Sequence, residues 1–283
     1  MPELPDIELY RHGLATRLVG HRLERVRLAS PFLLRTVEPP IATLLESPLL
    51  DVRRLGKRLV FVFPDSLFLV IHLMIAGRFR FEPKGAKIPG KVGLAALDFD
   101  SGSVILTEAS SKKRASMHVV RGDAALAEHD RGGLEVTTAT PDAFAAAMRR
   151  ENRTLKRALT DPRVLSGVGN AYSDEVLFAA RMSPIVLTRA LEDWQIGDLL
   201  LNLAETLRSW TTRLRAEFEL DKPGPGRFPG VGEITAFRPD FMVHGKFGQP
   251  CRVCRTKIQR IVRAENEVNY CPGCQTGGRV LAD

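Results

Sequence analysis

The chain has 283 residues, of which 44% are hydrophobic and 26% are charged, and its 41 Lys and Arg residues against 33 Asp and Glu residues leave a formal charge of +8. This composition is typical of folded globular proteins and excludes intrinsic disorder, collagen and coiled coils. No apolar run approaches the roughly 18 residues that a membrane helix needs, so we expect no membrane partner. The length predicts more than one domain, and the positive charge favours a polyanionic partner.

The first third of the chain reads as a helix followed by strands. The amino terminus lacks the basic and apolar segments of a signal peptide, so we expect a cytoplasmic protein. Apolar residues spaced by three and four predict a helix over residues 5–19, with Pro in its first turn and Gly after its end. Segments rich in Val, Ile, Leu and Phe predict strands at residues 58–63, 67–75, 78–82, 94–99 and 103–107. Residues 1–131 are therefore expected to form one β-rich domain.

Helices dominate the middle of the chain, residues 132–232. Good helical sequence occupies residues 142–150 and 152–159, and apolar residues from Leu199 to Phe218 trace one face of a long helix. Core packing is the interpretation that we assign to that face. Four Gly and three Pro then make residues 221–232 a loop, and loops of this length in compact domains are usually functional or disordered.

All four cysteines lie in the last part of the chain, residues 233–283. Two Cys-x2-Cys pairs with sixteen residues between them have the spacing of two knuckles that bind one tetrahedral metal ion. Four thiolates leave no open position, which predicts one structural Zn²⁺ that holds a β-hairpin. A rubredoxin-like iron and a pair of disulfides are the alternatives. The predicted ligands are Cys251, Cys254, Cys271 and Cys274.

Two groups of basic residues are candidates for contacts with a polyanion. One lines the cysteine hairpin, where a nucleic-acid-binding finger and a merely solvated surface are both open. The other precedes Gly167-x-Gly169-Asn170, where glycines and a helix amino terminus predict a phosphate cradle, although a tight turn would also need glycine. The first group is Arg252, Arg255, Lys257, Arg260 and Arg263, and the second is Arg149, Arg150, Arg153, Lys156 and Arg157.

The amino terminus itself suggests chemistry. Removal of Met1 would expose a secondary amine at Pro2, and an α-amino group with a pKa of about 8 is far more often neutral at pH 7 than a lysine with a pKa of about 10.4. Glu3 stands beside this amine and can transfer protons. The alternative interpretation is that Pro2 and Pro5 only pin an extended terminus.

Taken together, these features resemble one known family, the formamidopyrimidine-DNA glycosylases and endonuclease VIII. The resemblance rests on residues 2–8, Lys57, His72-Leu73-x3-Gly77, Lys156, Gly167-x-Gly169-Asn170 and the four-cysteine finger, which occur in order over the whole chain. It implies an α+β fold with three domains. These are an N-terminal catalytic β-sandwich with a leading helix at 1–131, a helix-two-turn-helix domain with a lesion-capping loop at 132–232, and a zinc-finger β-hairpin at 233–283.

The resemblance implies a bifunctional DNA glycosylase and abasic-site lyase of base-excision repair. Pro2 would attack the sugar C1′ and form a Schiff base, which β,δ-elimination resolves into a cut strand. Glu3 would act as general acid, and Lys57 would contact a phosphate and assist elimination. The expected partner is double-stranded DNA with damaged bases or abasic sites, oxidised purines such as 8-oxoguanine and formamidopyrimidines being favoured over oxidised pyrimidines, and the expected state is a monomer.

The resemblance also implies DNA contacts, and the chain departs from the family pattern at several of them. Lys156, Asn170 and His72 would contact DNA, and Ile75 stands where the family has the Met that fills the gap left by the flipped base. Met74 and Ile75 are expected on a strand with opposite orientations, so that only one of them enters the duplex. The finger Arg of the family falls at Asn266, which leaves Arg260 or Arg263 as substitutes.

Two further departures concern the strand-inspecting loop and the first turn of the leading helix. The family's Arg-and-Phe loop is not recognisable at residues 108–116, and Asp6 replaces a usual Glu. These departures motivate a rival hypothesis, a non-catalytic protein that binds damaged or branched DNA on the same scaffold. Retention of Pro2, Glu3 and Lys57 argues against the rival hypothesis, because binding needs no nucleophile.

Overall fold

The computed structural model describes residues 1–263 and 266–281, without the side chains of Arg263 and Asn266. The chain divides into two compact units. The first contains Met1–Asp130 and Thr211–Thr235, and the second contains Arg131–Trp210 and Ala236–Asp283. None of the helices within the described ranges is both long and apolar enough to cross a membrane. The three domain boundaries expected from the sequence stay a prediction.

The first unit consists of a leading helix, α1 (Leu4–Leu18), and two four-stranded antiparallel sheets. One sheet has the order β1-β6-β7-β5 and the other the order β2-β3-β4-β8. The strands are β1 (Leu23–Leu28), β2 (Asp51–Leu55), β3 (Arg58–Phe63), β4 (Leu67–His72), β5 (Gly77–Glu82), β6 (Gly93–Phe99), β7 (Gly102–Glu108) and β8 (Ser116–Arg121). A short helix, α2 (Asp123–Ala127), follows the last strand.

The core of this unit lies between the two sheets. Phe61 of β3, Phe79 of β5 and Phe99 of β6 belong to one buried cluster, to which α1 adds Ile7 and Leu14. Side chains alternate along a strand, so the other face of β3 carries a second row of apolar residues. That row packs in a smaller cluster with Ala125 and Leu126 of α2. The sandwich expected from the sequence is confirmed, and apolar residues on both faces of its inner strands explain the near-continuous hydrophobic runs.

The second unit is helical and ends in a hairpin. Its helices are α3 (Pro141–Arg149), α4 (Leu155–Thr160), α5 (Asn170–Ala179) and the first part of α6 (Asp193–Glu217). The hairpin strands β9 (Gln259–Arg263) and β10 (Asn266–Tyr270) pair antiparallel, and α7 (Pro272–Gln275) follows them. Leu199, Leu203 and Leu207 of α6 are buried, which confirms core packing as the role of that face.

The proline- and glycine-rich loop that follows α6 belongs to the first unit. Its residues 221–232 contain no helix or strand, as predicted. The Arg17 guanidinium of α1 donates to Pro225 O at 2.9 Å and Gly226 O at 2.7 Å, and it lies 5.3 Å from the Phe228 ring centroid. Phe228 packs against the core of the unit. The loop is therefore anchored to α1.

Candidate active site and metal centre

The amino terminus leads directly into α1. Glu3 is the N-cap of this helix, and the Asp6 carboxylate accepts a hydrogen bond from the Glu3 backbone N–H at 3.0 Å. Both side chains are buried, at 3% and 2% exposure. The Asp at this position thus closes a capping box, which fixes the direction in which Pro2 and Glu3 leave the helix.

Four charged side chains act on the terminal amine. The pKa of the Met1 α-amino group lies below its ordinary value, because burial disfavours the charged form. Arg78 and Lys57 lower this pKa further, whereas the Glu3 and Asp6 carboxylates raise it. The structure therefore brings Glu3 and Lys57, which are 54 positions apart in the chain, to the same terminus.

Lys57 lies in the two-residue turn between β2 and β3. Arg54 fixes this turn, because its Nε donates to the Glu8 carboxylate of α1 at 2.9 Å and its Nη1 donates to Gly56 O at 3.1 Å. Arg54 is mostly buried, and Glu8 also accepts from Arg11. The helix that carries Glu3 and the turn that carries Lys57 are thereby joined by one guanidinium.

The segment after His72 is a turn, and the strand expected to reach residue 75 ends at His72. Gly77 N–H donates to Leu73 O at 2.9 Å, and a Cβ at position 77 would lie 2.2 Å from that oxygen, so the turn requires glycine. Met74 has a φ of 53°, a left-handed conformation. The expectation of opposite strand faces for Met74 and Ile75 is wrong, because residues 74–76 form a turn and not a strand. Ile75 is 53% exposed, and Met74 is half-buried.

Arg78 is a residue that the sequence interpretation missed. Its Nη1 donates to Gly77 O at 2.7 Å and Ile75 O at 3.2 Å, and its Nε donates to Ile234 O at 2.8 Å. The only local signal is its position directly after Gly77. The partner Ile234 lies 156 residues away in the sequence, which no local pattern indicates.

The expected phosphate cradle lies at the start of α5. Asn170 is the first residue of this helix, and its Nδ2 donates to Glu267 O of β10 at 2.9 Å. Lys156 of α4 is buried, donates to Asn170 O at 2.6 Å and forms an ion pair with Asp174. The structure thus brings Lys156 and Asn170 together. Two neighbouring arginines are also paired with acids, Arg149 with Asp193 and Arg153 with Asp161.

Two consecutive acids of α5 are further residues that the sequence interpretation missed. The Asp174 carboxylate lies 2.7 Å from His244 Nδ1 and accepts from Asn269 N at 3.1 Å. Glu175 accepts the backbone N–H groups of residues 242–244 at 2.7 to 2.9 Å, and burial raises its pKa. These acids hold the segment before the finger and the second hairpin strand on α5.

The four cysteine sulfurs converge within 4.8 Å of one another. Cys251 Sγ lies 3.9 Å from Cys274 Sγ, and Cys254 Sγ lies 3.3 Å from Cys271 Sγ. A zinc–sulfur distance of about 2.3 Å gives tetrahedral sulfur–sulfur edges of about 3.8 Å, so the donor set fits Zn²⁺. A Cβ at Gly273 would lie 2.8 Å from Cys254 Sγ, and the second knuckle therefore needs glycine there.

The finger arginines are only partly described. Arg260 Nη1 lies 3.2 Å from the Glu267 carboxylate, and its guanidinium carbon lies 4.4 Å from the Phe247 ring centroid. The side chain of Arg263 lies outside the described residues. Arg260 is thus oriented by an acid and an aromatic ring of its own unit.

Comparisons with known proteins agree with this arrangement. The formamidopyrimidine-DNA glycosylase N-terminal domain matches residues 1–116, the H2TH domain of the same enzymes matches residues 134–213, and the zinc finger found in FPG and IleRS matches residues 248–277. A formamidopyrimidine-DNA glycosylase of Variovorax paradoxus is 31% identical, with 97% of this chain and 100% of the relative covered.

Solved structures show the same fold. Lactococcus lactis Fpg in complex with abasic-site DNA has a TM-score of 0.82 at 25% identity, with 97% of this chain and 99% of that chain covered. A variant of that enzyme in complex with Fapy-dG DNA has a TM-score of 0.83 at 25% identity, with 97% and 100% covered.

A β-sandwich with a buried carboxylate at its amino terminus, a helical H2TH region and a four-cysteine hairpin together define a zinc-finger DNA glycosylase of base-excision repair. The chain belongs to the formamidopyrimidine-DNA glycosylase family, and its partner is DNA.

Proposed function

We propose that the protein is a bifunctional glycosylase and abasic-site lyase that excises oxidised bases through a Schiff base on Pro2. One observation carries this proposal: Glu3, Lys57 and Arg78 act on a chain terminus whose amine has a pKa below its ordinary value. A binding protein gains nothing from an amine whose charged form is disfavoured, whereas a nucleophile reacts through its neutral form.

In the proposed reaction, removal of Met1 leaves Pro2 with a secondary amine. Its lone pair attacks C1′ of the damaged nucleotide, and the base leaves with the electrons of the glycosidic bond and takes up a proton. Loss of the amine proton and opening of the sugar ring give an iminium ion. Abstraction of a C2′ proton expels the 3′ phosphate, a second elimination expels the 5′ phosphate, and water then releases Pro2.

Glu3 and Lys57 have separate roles in this sequence. Glu3 is held by the capping box beside Pro2, where its carboxyl group can protonate the sugar ring oxygen and later shuttle protons. Lys57 stands on a turn fixed by Arg54, where its ammonium can bind a phosphate and stabilise the leaving oxygen.

The proposed DNA contacts follow from exposure and orientation. We assign the wedge to Ile75, because this side chain is 53% exposed on a turn closed by the Gly77 N–H to Leu73 O hydrogen bond, whereas Met74 is half-buried. His72 and Asn170 are assigned to phosphates, with Arg260 and Arg263 as finger contacts. Lys156 is assigned an indirect role, since its ammonium already donates to Asn170 O and pairs with Asp174.

For the substrate we propose oxidised purines, including 8-oxoguanine and formamidopyrimidines. The complex of the Lactococcus lactis enzyme variant with Fapy-dG DNA supports this choice. We expect a monomer that works on chromosomal DNA in the cytoplasm, with one Zn²⁺ bound by the four cysteines.

Borohydride trapping tests the proposal. The protein is incubated with duplexes that carry an abasic site, 8-oxoguanine or an oxidised pyrimidine, and adducts are mapped by mass spectrometry of the terminal peptide. We expect an adduct on Pro2, formed best with the purine lesion or the abasic site. Pro2→Gly and Glu3→Gln should lose excision, with Glu24→Gln on β1, which pairs with Lys84, as the control.

The rival hypothesis has its own outcome in this experiment. A protein whose terminal peptide begins at Pro2, and which binds abasic DNA without trapping, would be a non-catalytic damage-binding protein. Full excision by Glu3→Gln would contradict the role of Glu3 alone.

A further inference from the structure

Arg78 connects three parts of the first unit that the proposed reaction uses. Its side chain donates to Ile75 O in the turn that carries the wedge and to Ile234 O in the segment that follows the 221–232 loop. It also donates to Gly77 O at the start of its own strand. Because a guanidinium has donors in a fixed planar fork, one side chain can hold two backbone segments at a defined separation.

The same guanidinium also acts on the chain terminus. Its positive charge lowers the pKa of the terminal amine, in the same direction as Lys57 and against Glu3 and Asp6. These four charged groups come from α1, from the β2–β3 turn and from β5. Arg78 thus combines this effect on the terminus with its hydrogen bonds to the turn and to the segment after the loop.

We propose that Arg78 is a positioning residue that holds the turn at residues 73–77 and the segment at Ile234, directly after the 221–232 loop, in place beside the chain terminus, so that base extrusion, capping and attack occur at one fixed geometry. The inference rests on the proposed function of Pro2. Arg78 itself touches backbone carbonyls and acts through the groups that it holds.

Two substitutions distinguish the effect of the positive charge of Arg78 from the effect of its planar set of guanidinium donors. Arg78→Gln removes the charge and the fork, whereas Arg78→Lys keeps the charge but has a single ammonium that does not bridge both carbonyls. Arg80→Gln, two residues further on β5, is the matched control.

The first measurement needs no activity. Hydrogen exchange of the DNA-free protein should accelerate in peptides that cover residues 73–77 and 221–234 in Arg78→Gln, and in neither peptide in Arg80→Gln. Unchanged exchange of both peptides in Arg78→Gln would contradict the proposal that Arg78 holds these two segments.

The second measurement is the pH dependence of borohydride trapping on abasic DNA. Loss of the positive charge raises the amine pKa, so the midpoint of Arg78→Gln should move to a higher pH than that of the wild type. Arg78→Lys should keep the wild-type midpoint and trap about ten-fold more slowly, because its geometry is loosened.

The outcomes distinguish the two proposals. If the wild type forms no borohydride-trapped adduct on Pro2, the proposed function fails. The hydrogen-exchange data then still test whether Arg78 holds the two backbone segments. If the wild type traps and both Arg78 variants match its rate and midpoint, the positioning role is wrong.

Discussion

Met74 takes a backbone conformation that ordinarily costs a side chain about 1 kcal/mol or more. Glycine, by contrast, adopts a positive φ without strain. The strain is local to residue 74, because Ile75 beside it does not share the left-handed φ.

The comparison of alanine and glycine at these two positions measures that strain. At position 74, glycine should give a free energy of unfolding about 1 kcal/mol higher than alanine; at position 75, alanine should be the more stable by about 0.5 kcal/mol. Urea unfolding of Met74→Gly, Met74→Ala, Ile75→Gly and Ile75→Ala gives both differences. The same order at both positions would contradict the left-handed turn.

The space around Gly273 in the second cysteine knuckle leaves no room for a side chain. A Cβ there would lie 2.7 Å from Thr256 Oγ1 and 2.8 Å from Cys254 Sγ, so the knuckle would have to open. We expect Gly273→Ala to lose zinc to a chelator at least ten-fold faster than the wild type, measured with a zinc dye. Gly197→Ala, where a Cβ meets open space, is the control and should keep wild-type kinetics. Equal rates for both would reject a close approach at the metal.

Helix α5 acts as the element that joins the second unit. Asp174 and Glu175 are consecutive residues of this helix, and through them the helix holds α4, the segment at residues 242–244 and β10. Buried ion pairs contribute little net stability, yet removal of one partner leaves a buried charge that costs several kcal/mol. The arrangement therefore specifies where the finger hairpin sits on α5 more than it adds stability.

A double-substitution cycle on Lys156 and Asp174 tests this description. Asp174→Asn alone should reduce the free energy of unfolding by about 3 kcal/mol, because the Lys156 ammonium loses its counter-charge in a buried site. Combining it with Lys156→Met should recover at least half of that loss. Urea unfolding of the wild type, both single variants and the double variant gives the coupling. Simple additivity would show that the ion pair is unimportant.

At the scale of the whole molecule, affinity for DNA should depend strongly on salt. Each neutralised phosphate lowers log K by about 0.9 per unit of log salt concentration, so a few contacts give a loss of about 10²-fold between 50 and 200 mM. Lys57→Gln should reduce the slope by about one, whereas Asn170→Ala should weaken binding at every salt concentration with the slope unchanged. Fluorescence anisotropy with abasic DNA measures both. A slope near zero in the wild type would contradict binding through phosphates.

The sequence predicts the individual elements of this molecule better than the contacts between residues that are far apart in the chain. The spacing of four cysteines predicts the metal centre, and the apolar periodicity of α6 predicts its buried face, because both patterns are local. Arg78 and Asp174 escaped prediction for the opposite reason. Their partners Ile234 and His244 are 156 and 70 residues away, and only the folded chain brings them together.

The anchoring of the 221–232 loop by Arg17 has a thermodynamic consequence. Ordering a loop residue costs about 1–2 kcal/mol of conformational entropy, and here the cost falls on folding, before any DNA is present. Association then starts from a preorganised surface. A calorimetric titration with DNA should therefore show only a small loss of conformational entropy from this loop. We expect the loop to discriminate between bases by its fixed shape and not by a change of conformation on binding.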